Sequence, residues 1–126
     1  MTQRAMLIRG LGIARLAIGL SAFAQPAMTR RSLGVAGQDA DGGVVARMFG
    51  IRDAALGLAT LSSDPAVQRV GLQLGVLADA ADTAAVLLGR RGGVTASGAT
   101  VVGGGAALFA LAGLAALPKR ARPPIR

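Results

Sequence analysis

Cysteine, histidine, tryptophan and tyrosine are absent from this 126-residue chain, and all six of its acidic residues are aspartate. Without cysteine there can be no disulfide and no thiolate nucleophile. Without histidine the chain also lacks the most common general base and, with cysteine, the usual zinc ligands. A reaction would have to rely on Asp, Arg, Ser and Thr side chains. We therefore expect no enzymatic activity, no metal and no cofactor.

Apolar residues, in contrast, make up 52 % of the chain, whose mean hydropathy is +0.55. They stand in long runs with few charges, each close to the roughly 20 residues that a helix needs to cross a bilayer. Alanine and glycine are abundant, with 19 glycines, and small residues let helices pack closely in lipid. The composition favours an integral membrane protein over the alternative, an Ala/Gly-rich soluble bundle.

Turn signals divide the apolar residues into four runs. We expect an all-α fold, a four-helix transmembrane bundle of up-down topology that forms a single domain over residues 1–126. The predicted helices and the basic tail that follows them cover residues 7–25, 44–62, 67–89, 95–117 and 118–126.

A cleaved signal peptide is the competing interpretation of the first run. Arg4 and Arg9 are typical of its basic region, and Ala22-Phe23-Ala24 resembles a cleavage site. Arg15, however, interrupts the apolar region and leaves eight uncharged residues, 16–23, before that site. We therefore expect the first helix to be retained.

Basic residues are distributed unequally between the two sides of such a bundle. One side has seven, namely Arg4, Arg9, Arg69, Lys119, Arg120, Arg122 and Arg126. The other side has four, namely Arg30, Arg31, Arg90 and Arg91. The positive-inside rule then predicts cytoplasmic N- and C-termini in the bacterial cytoplasmic membrane.

The net charge of +8 does not indicate nucleic-acid binding. Aromatic residues that could stack on bases are almost absent, and the basic residues flank the apolar runs instead of covering one face. We expect the lipid bilayer to be the environment of the protein. The tail at 118–126 is expected to contact anionic lipid headgroups, since each basic residue near such a surface contributes about 1 kcal/mol.

Six ionisable residues lie inside the runs, namely Arg15, Arg47, Arg52, Asp53, Asp79 and Asp82. A charge at the membrane centre costs roughly 2.5–3.5 kcal/mol, so such residues normally pair inside a bundle. A hairpin that turns near residues 64–65 places Arg47 level with Asp82 and Arg52 close to Asp79, given an equal rise per residue. Arg15 and Asp53 both lie near the centres of their runs. The predicted pairs are therefore Arg47–Asp82, Arg52–Asp79 and Arg15–Asp53.

Two functions are compatible with these charges. Their balance favours a structural role, in which the pairs fix the order of the helices. The alternative is a proton or ion path, or a pocket for a polar substrate, lined by Asp53, Asp79 and Asp82. A transport role predicts a water-accessible cavity that reaches Asp79 and an acid without an arginine partner. A structural role predicts dry, paired acids.

Small and polar residues recur at intervals of three and four on several predicted helices, which indicates packing faces. On the second helix they are Ala46, Gly50, Asp53, Gly57 and Thr60 or Leu61. On the third they are Gln68, Gly75, Asp79, Asp82 and Val86, accompanied by the pair Gly71 and Gly75. On the fourth, the row Ala99, Gly103 and Ala107 is expected to permit homodimer contact.

Two weaker patterns are present. QDADGGVVAR at 38–47 is similar to the motif D-x-x-D-G-x-x-A-R of membrane CDP-alcohol phosphotransferases, whose aspartates hold a divalent metal. Asp39 and Asp41 are one residue too close for it, so this enzyme class remains the second alternative. GIARLAIGL at 12–20 and GIRDAALGL at 50–58 agree at both ends, which fits either a duplicated helix or a chance alignment.

Three segments together resemble a family of small bacterial, actinobacterial-type membrane proteins of unknown function that is DoxX-like in layout. They are RRSLG at 30–34, ARMFGIRDAALG at 46–57 and LADAAD at 77–82. The R-x-F-G-x-R-D-x-x-L-G core is the most specific part. The resemblance implies four transmembrane helices, with Arg47, Arg52, Asp53 and Asp82 as the polar signature, and it implies no activity.

The sequence thus predicts a multi-pass membrane protein whose leading function is that of a structural or accessory membrane subunit, held together by interhelical Arg/Asp pairs. A small proton-coupled transporter or permeation unit that uses Asp53, Asp79 and Asp82 is the first alternative. The expected partner is another membrane protein or a second copy of the chain.

Overall fold

The computed structural model describes residues 1–33, 43–92 and 94–118. Within these ranges the chain forms five helices, α1 (Gln3–Ala24), α2 (Pro26–Leu33), α3 (Val44–Leu61), α4 (Pro65–Gly89) and α5 (Ala96–Ala116). The turn Arg90–Gly92 extends α4 as a short 3-10 helix. The expected all-α class is confirmed, and the four predicted helices correspond to α1, α3, α4 and α5. The short helix α2 was not predicted.

Side-chain caps explain why two helices begin earlier than the sequence predicts. The hydroxyl of Thr2 accepts a hydrogen bond from the backbone N–H of Ala5 at 3.2 Å, so α1 begins at Gln3 instead of residue 7. The carboxylate of Asp64 accepts a hydrogen bond from the N–H of Ala66 at 2.7 Å, and α4 begins at Pro65 instead of residue 67. Proline is well tolerated at this first helical position, because its missing N–H has no partner there.

Facing glycines bring α1 and α3 into close antiparallel contact. A Cβ on Gly19 would lie 2.4 Å from the backbone nitrogen of Ala54 and 2.5 Å from the carbonyl oxygen of Gly50. Two turns away, a Cβ on Gly57 would lie 2.9 Å from the carbonyl oxygen of Gly12. No side chain fits between backbones this close, so these glycines set the distance between the two helices.

The hairpin between α3 and α4 is closed by a glycine and by a polar side chain. A Cβ on Gly71 would lie 2.8 Å from the carbonyl carbon of Ala59. The amide nitrogen of Gln68 donates to the carbonyl oxygens of Thr60 at 3.2 Å and Ser62 at 3.3 Å. These carbonyls lie at the end of α3 and have no partner within that helix, so Gln68 caps it from the next helix.

Helix α5 contains a π-helical stretch, Ala99–Gly103, near its start. Gly103 is buried against α4, where a Cβ on it would lie 3.1 Å from Val86 Cγ1. In the row Ala99, Gly103 and Ala107, which was expected to permit homodimer contact, the central residue therefore already faces α4. Gly103 is used for packing within the chain.

The long helices pack in a definite order. Helix α1 packs against α3 and α5, and α4 packs against the same two helices, so α1 and α4 face each other across a shared interior. The Nε of Arg4 donates to the carbonyl oxygen of Ala116 at 2.9 Å and joins the start of α1 to the end of α5. The short helix α2 packs against α1, α3 and the first part of α5.

Many large apolar side chains lie on the outside of the molecule, whereas the interior holds small and charged residues together with one apolar cluster at Ile8, Leu11 and Leu72. Ile13 is 59 % exposed, Leu77 is 66 % exposed and Leu108 is 67 % exposed. The stripe predicted on α3 is buried, with Ala46, Gly50, Asp53, Gly57 and Thr60 as its members. This arrangement reverses that of a soluble protein and is typical of a protein surrounded by lipid.

Three helices in the described part of the chain are long and apolar enough to cross a membrane. They are α1, α4 with its final 3-10 turn, and α5. Helix α3 is outside this set, because its 18 residues include Arg47, Arg52 and Asp53. The structure therefore supports a membrane protein, and the position of α3 depends on what its charged residues contact.

The variant Gly19→Ala tests the contact between α1 and α3. Its methyl group would overlap the α3 backbone, and such overpacking lowers the free energy of unfolding by about 1–3 kcal/mol. Gly10→Ala on the same helix is the control, because a Cβ there meets nothing within 4 Å. Thermal unfolding in detergent, followed by circular dichroism, measures both variants. Equal melting temperatures would contradict the close contact.

Candidate functional site

The guanidinium group of Arg15 lies in the shared interior and contacts the other three long helices. Its Nη1 donates to Asp53 Oδ1 of α3 at 3.0 Å, and its Nη2 donates to Asp79 Oδ2 of α4. Its Cζ lies 5.1 Å from the centre of the Phe109 ring of α5, a cation–π distance. All three ionic side chains are almost fully buried. One arginine therefore joins the four long helices.

A glycine on α4 makes room for this guanidinium group. A Cβ on Gly75 would lie 3.0 Å from Arg15 Nη2 and 3.3 Å from its Cζ. The predicted close-packing pair of Gly71 and Gly75 therefore has two separate uses. Gly71 lies against the backbone of α3, whereas Gly75 leaves space for a side chain that comes from α1 on the opposite side of the interior.

A second ion pair joins α3 and α4 near the surface. Arg52 donates to both carboxylate oxygens of Asp82, at 3.1 Å and 2.7 Å, a bidentate geometry that makes the pair strong. The Arg52 Cζ also lies 5.0 Å from the centre of the Phe49 ring. The Arg52 side chain is 38 % exposed, so this pair is more accessible than the one at Arg15.

The structure contains one of the three predicted pairs. Arg15–Asp53 is present. Arg52 pairs with Asp82 and not with Asp79, because its long side chain reaches about one turn further along α4 than equal depth predicts. Asp79 instead binds Arg15. This pair could not be predicted from the hairpin of α3 and α4 alone, because Arg15 belongs to α1 on the opposite side of the interior.

The remaining predicted member, Arg47, does not join this cluster. Asp82 has Arg52 as its partner, so the predicted pair Arg47–Asp82 is wrong. The Arg47 guanidinium lies beside Gly43, where a Cβ would be 3.4 Å from its Nη1. Asp39 and Asp41, the first acids of the weak phosphotransferase pattern, lie outside the described residues.

An open-sided cavity of about 460 Å³ adjoins the cluster. The charged residues on its floor are Arg15, Asp53, Asp79 and Asp82. Apolar residues on its walls include Ala17, Ile18, Val101, Val102 and Ala106. Hydroxyl residues near α2 are Ser21, Thr29 and Ser32. The cavity thus extends from the helix centres towards the end of the molecule where α1 ends and α3 begins.

The other half of the interior is nearly closed. Beyond Arg15 there is a void of only about 10 Å³, lined in part by Thr60 and Gly75. The apolar cluster that lies beyond it consists of Ile8, Leu11, Leu72 and Ala116. Among the described residues, the larger cavity next to Arg15 is thus the one that extends towards the end of the molecule where α1 ends and α3 begins.

The charges of the cluster do not balance. Three carboxylates, Asp53, Asp79 and Asp82, meet two guanidinium groups, which leaves one negative charge in excess. In the part of the chain that the structure describes, no three acidic groups come close enough to hold a metal ion together. The arrangement can hold helices together, accept a proton, or bind a cation from the cavity.

Two features were not predicted from the sequence. They are the space that Gly75 leaves for the Arg15 guanidinium group and the stacking of two phenylalanines on arginines. Only three phenylalanines occur in the chain, and Phe49 and Phe109 each lie within 5.1 Å of a guanidinium carbon. The position of Phe49 three residues before Arg52 on one helix was an available signal, since residues three apart are neighbours. The contact of Phe109 with Arg15 had no comparable signal.

Comparison of the chain with protein-family models, with curated proteins and with solved structures finds no match. Functional inference therefore rests on the geometry of the charged cluster and of its cavity.

Replacing each arginine by glutamine should separate the two ion pairs. Arg15→Gln would leave two buried carboxylates without a cation, and breaking a buried pair in this way costs about 3–5 kcal/mol. Arg52→Gln should cost less, because this pair is less buried than the one at Arg15. Unfolding of both variants in detergent, compared with the parent, measures the difference. An equal loss in the two variants would contradict the central position of Arg15.

Proposed function

We propose that this chain is a multi-pass protein of the bacterial cytoplasmic membrane that acts as a structural or accessory subunit without enzymatic activity. In this proposal α1, α3, α4 and α5 form a four-helix up-down transmembrane bundle, the layout that the resemblance to DoxX-like proteins implies. The observation that carries the proposal is that each acid of the interior cluster binds an arginine of another helix.

The contacts of α3 support its role as the fourth span. Asp53 and Arg52 of this helix are both paired within the molecule, Asp53 with Arg15 and Arg52 with Asp82. Pairing of this kind removes most of the cost of placing charged residues in a membrane. Arg47 lies in the first turn of α3, from which a long side chain can extend to the membrane surface.

An apolar groove between α3 and α4 supports the accessory role. The groove has a volume of about 510 Å³ and is lined mainly by small and aliphatic residues, among them Ala55, Ala59, Gly71 and Leu74. Small residues allow a further helix to approach closely in lipid. In our proposal a helix of a partner membrane protein, or of a second copy of this chain, packs here.

The transporter alternative is favoured by one observation, the cavity that reaches Asp53, Asp79 and Asp82 from one end. A proton-coupled transporter needs such access and an acid that can give up its partner. Asp53 and Asp79 share Arg15, so either could release it while the other retains it. The acids are nevertheless all paired, which is why the structural role is preferred.

Purification of the tagged chain from its native membrane in mild detergent tests the accessory role. We expect a partner in stoichiometric amount, and Ala55→Leu in the groove should release it. Ala85→Leu is the control, because Ala85 is exposed on α4 and does not line the groove. A chain that purifies alone and takes up protons in proteoliposomes would overturn the proposal in favour of transport.

Cysteine labelling tests the proposed orientation, in which both termini are cytoplasmic. The chain has no native cysteine, so a single one can be introduced at an exposed site. A membrane-impermeant maleimide should label Gly92→Cys, between α4 and α5, in intact spheroplasts. It should label Ser63→Cys, between α3 and α4, only after permeabilisation. The reverse pattern would show that the orientation is wrong.

A further inference from the structure

The cavity beside Arg15 has the features of a small-molecule site that a structural role does not require. Its volume of about 460 Å³ falls within the range of ligand pockets, roughly 300–1,000 Å³. Most of its lining is apolar, charged groups converge at one end and a few hydroxyl groups lie near α2, a composition common in such pockets. The chemistry of that end determines which ligand would fit.

Two carboxylate oxygens at the floor of the cavity lack a donor. Asp53 binds Arg15 through Oδ1, and Asp79 binds it through Oδ2. Within the described residues, Asp53 Oδ2 and Asp79 Oδ1 accept no hydrogen bond, although each residue is only 5 % exposed. Neither oxygen is fully buried, and both aspartates line the cavity, so these oxygens can accept hydrogen bonds from a ligand that enters it.

The excess negative charge favours a cationic donor. Arg52 binds Asp82 and lies 3.9 Å from Asp53, and Arg15 binds Asp53 and Asp79, so three carboxylates share two guanidinium groups and one negative charge is left over. A charge in a membrane interior is strongly disfavoured unless it is paired. The carboxylates lie next to apolar walls, so an organic cation could pair its charge with them while its apolar part contacts those walls.

The aromatic residues distinguish between types of organic cation. Quaternary ammonium groups are recognised by free aromatic faces. Phe109 already stacks on Arg15 and Phe49 on Arg52, and Phe23, the remaining phenylalanine, does not line the cavity. An ammonium group with N–H donors instead matches the two free oxygens. Ile18, Val101 and Ala106 would surround its apolar part.

We propose that the cavity is a binding site for a small apolar amine in its ammonium form, which donates hydrogen bonds to Asp53 and Asp79. The site lies within the chain and is separate from the groove between α3 and α4, so this inference goes beyond the proposed accessory role. If no partner co-purifies, the proposed amine site is unaffected. If no amine binds, the proposed accessory role is unaffected.

Calorimetric titration of the full chain in nanodiscs tests the site, with empty nanodiscs as the background for partition into lipid. The probe is 2-phenylethylamine, which is protonated at neutral pH. Its matched controls are 2-phenylethanol, phenylacetate and trimethyl(2-phenylethyl)ammonium. We expect the amine to bind saturably, about tenfold or more tightly than each control, as a charge-assisted hydrogen bond would give.

Two glycines on α5 provide a matched pair of variants that leave the ion pairs untouched. Gly105 lines the cavity and Gly104 does not, and a Cβ on either meets nothing within 4 Å. Gly105→Leu should fill part of the cavity and weaken amine binding about tenfold or more, whereas Gly104→Leu should bind as the parent does. Asp79→Asn should reduce the preference for the amine over the alcohol, provided that the variant folds.

Three results would overturn the proposal, and none of them depends on whether Asp79→Asn folds. The first is equal affinity for 2-phenylethylamine and 2-phenylethanol, which would mark the cavity as merely apolar. The second is equal binding to Gly105→Leu and to the parent. The third is a titration that does not differ from that of empty nanodiscs, which would leave a proton as the cation that the acids accept.

Discussion

The contact between Arg15 and two aspartates imposes conditions on the rest of the structure. A buried guanidinium group is tolerated only with carboxylates at hydrogen-bond distance, here Asp53 and Asp79 on two different helices. Arg15 can reach both only if α1 lies close to α3 and if α4 has no side chain in the way. The facing glycines of α1 and α3 meet the first condition, and Gly75 meets the second. Helix packing and ion pairing are thus two aspects of one arrangement.

This contact also divides the interior into two unequal halves. On one side lie aliphatic residues and little free volume, including Ile8, Leu11 and Leu72. On the other side lies a cavity that α2 borders through Met28, Thr29 and Ser32. Arg15 and its two partners lie at the boundary between them. The ion pairs do not depend on the cavity for their contacts, and the open half is where the proposed binding site lies.

Features that depend on one helix at a time could be predicted from the sequence. The apolar runs locate the long helices, and the three- and four-residue spacing gives the buried stripe of α3. The depth of Arg15 and Asp53 within their runs was enough to pair them. The partner of Asp79 could not be found in this way, because Arg15 reaches it across the interior and the order of packing is unknown from sequence. Helix α2 was not predicted, because a short helix beside polar residues shows no apolar periodicity in the sequence.

The resemblance between segments 12–20 and 50–58 acquires a physical meaning from the contact of α1 with α3. In the alignment of these segments Gly12 corresponds to Gly50, Gly19 to Gly57, and Arg15 to Asp53. The segments run antiparallel, with Gly12 next to Gly57 and Gly19 next to Gly50, so their glycine contacts lie on either side of the Arg15–Asp53 pair. Two copies of α1 packed in the same way would bring Arg15 against Arg15, and two copies of α3 would bring Asp53 against Asp53. Only the mixed pair places opposite charges together, so the glycines permit close approach while the charges favour α1 against α3 over α1 against α1 or α3 against α3.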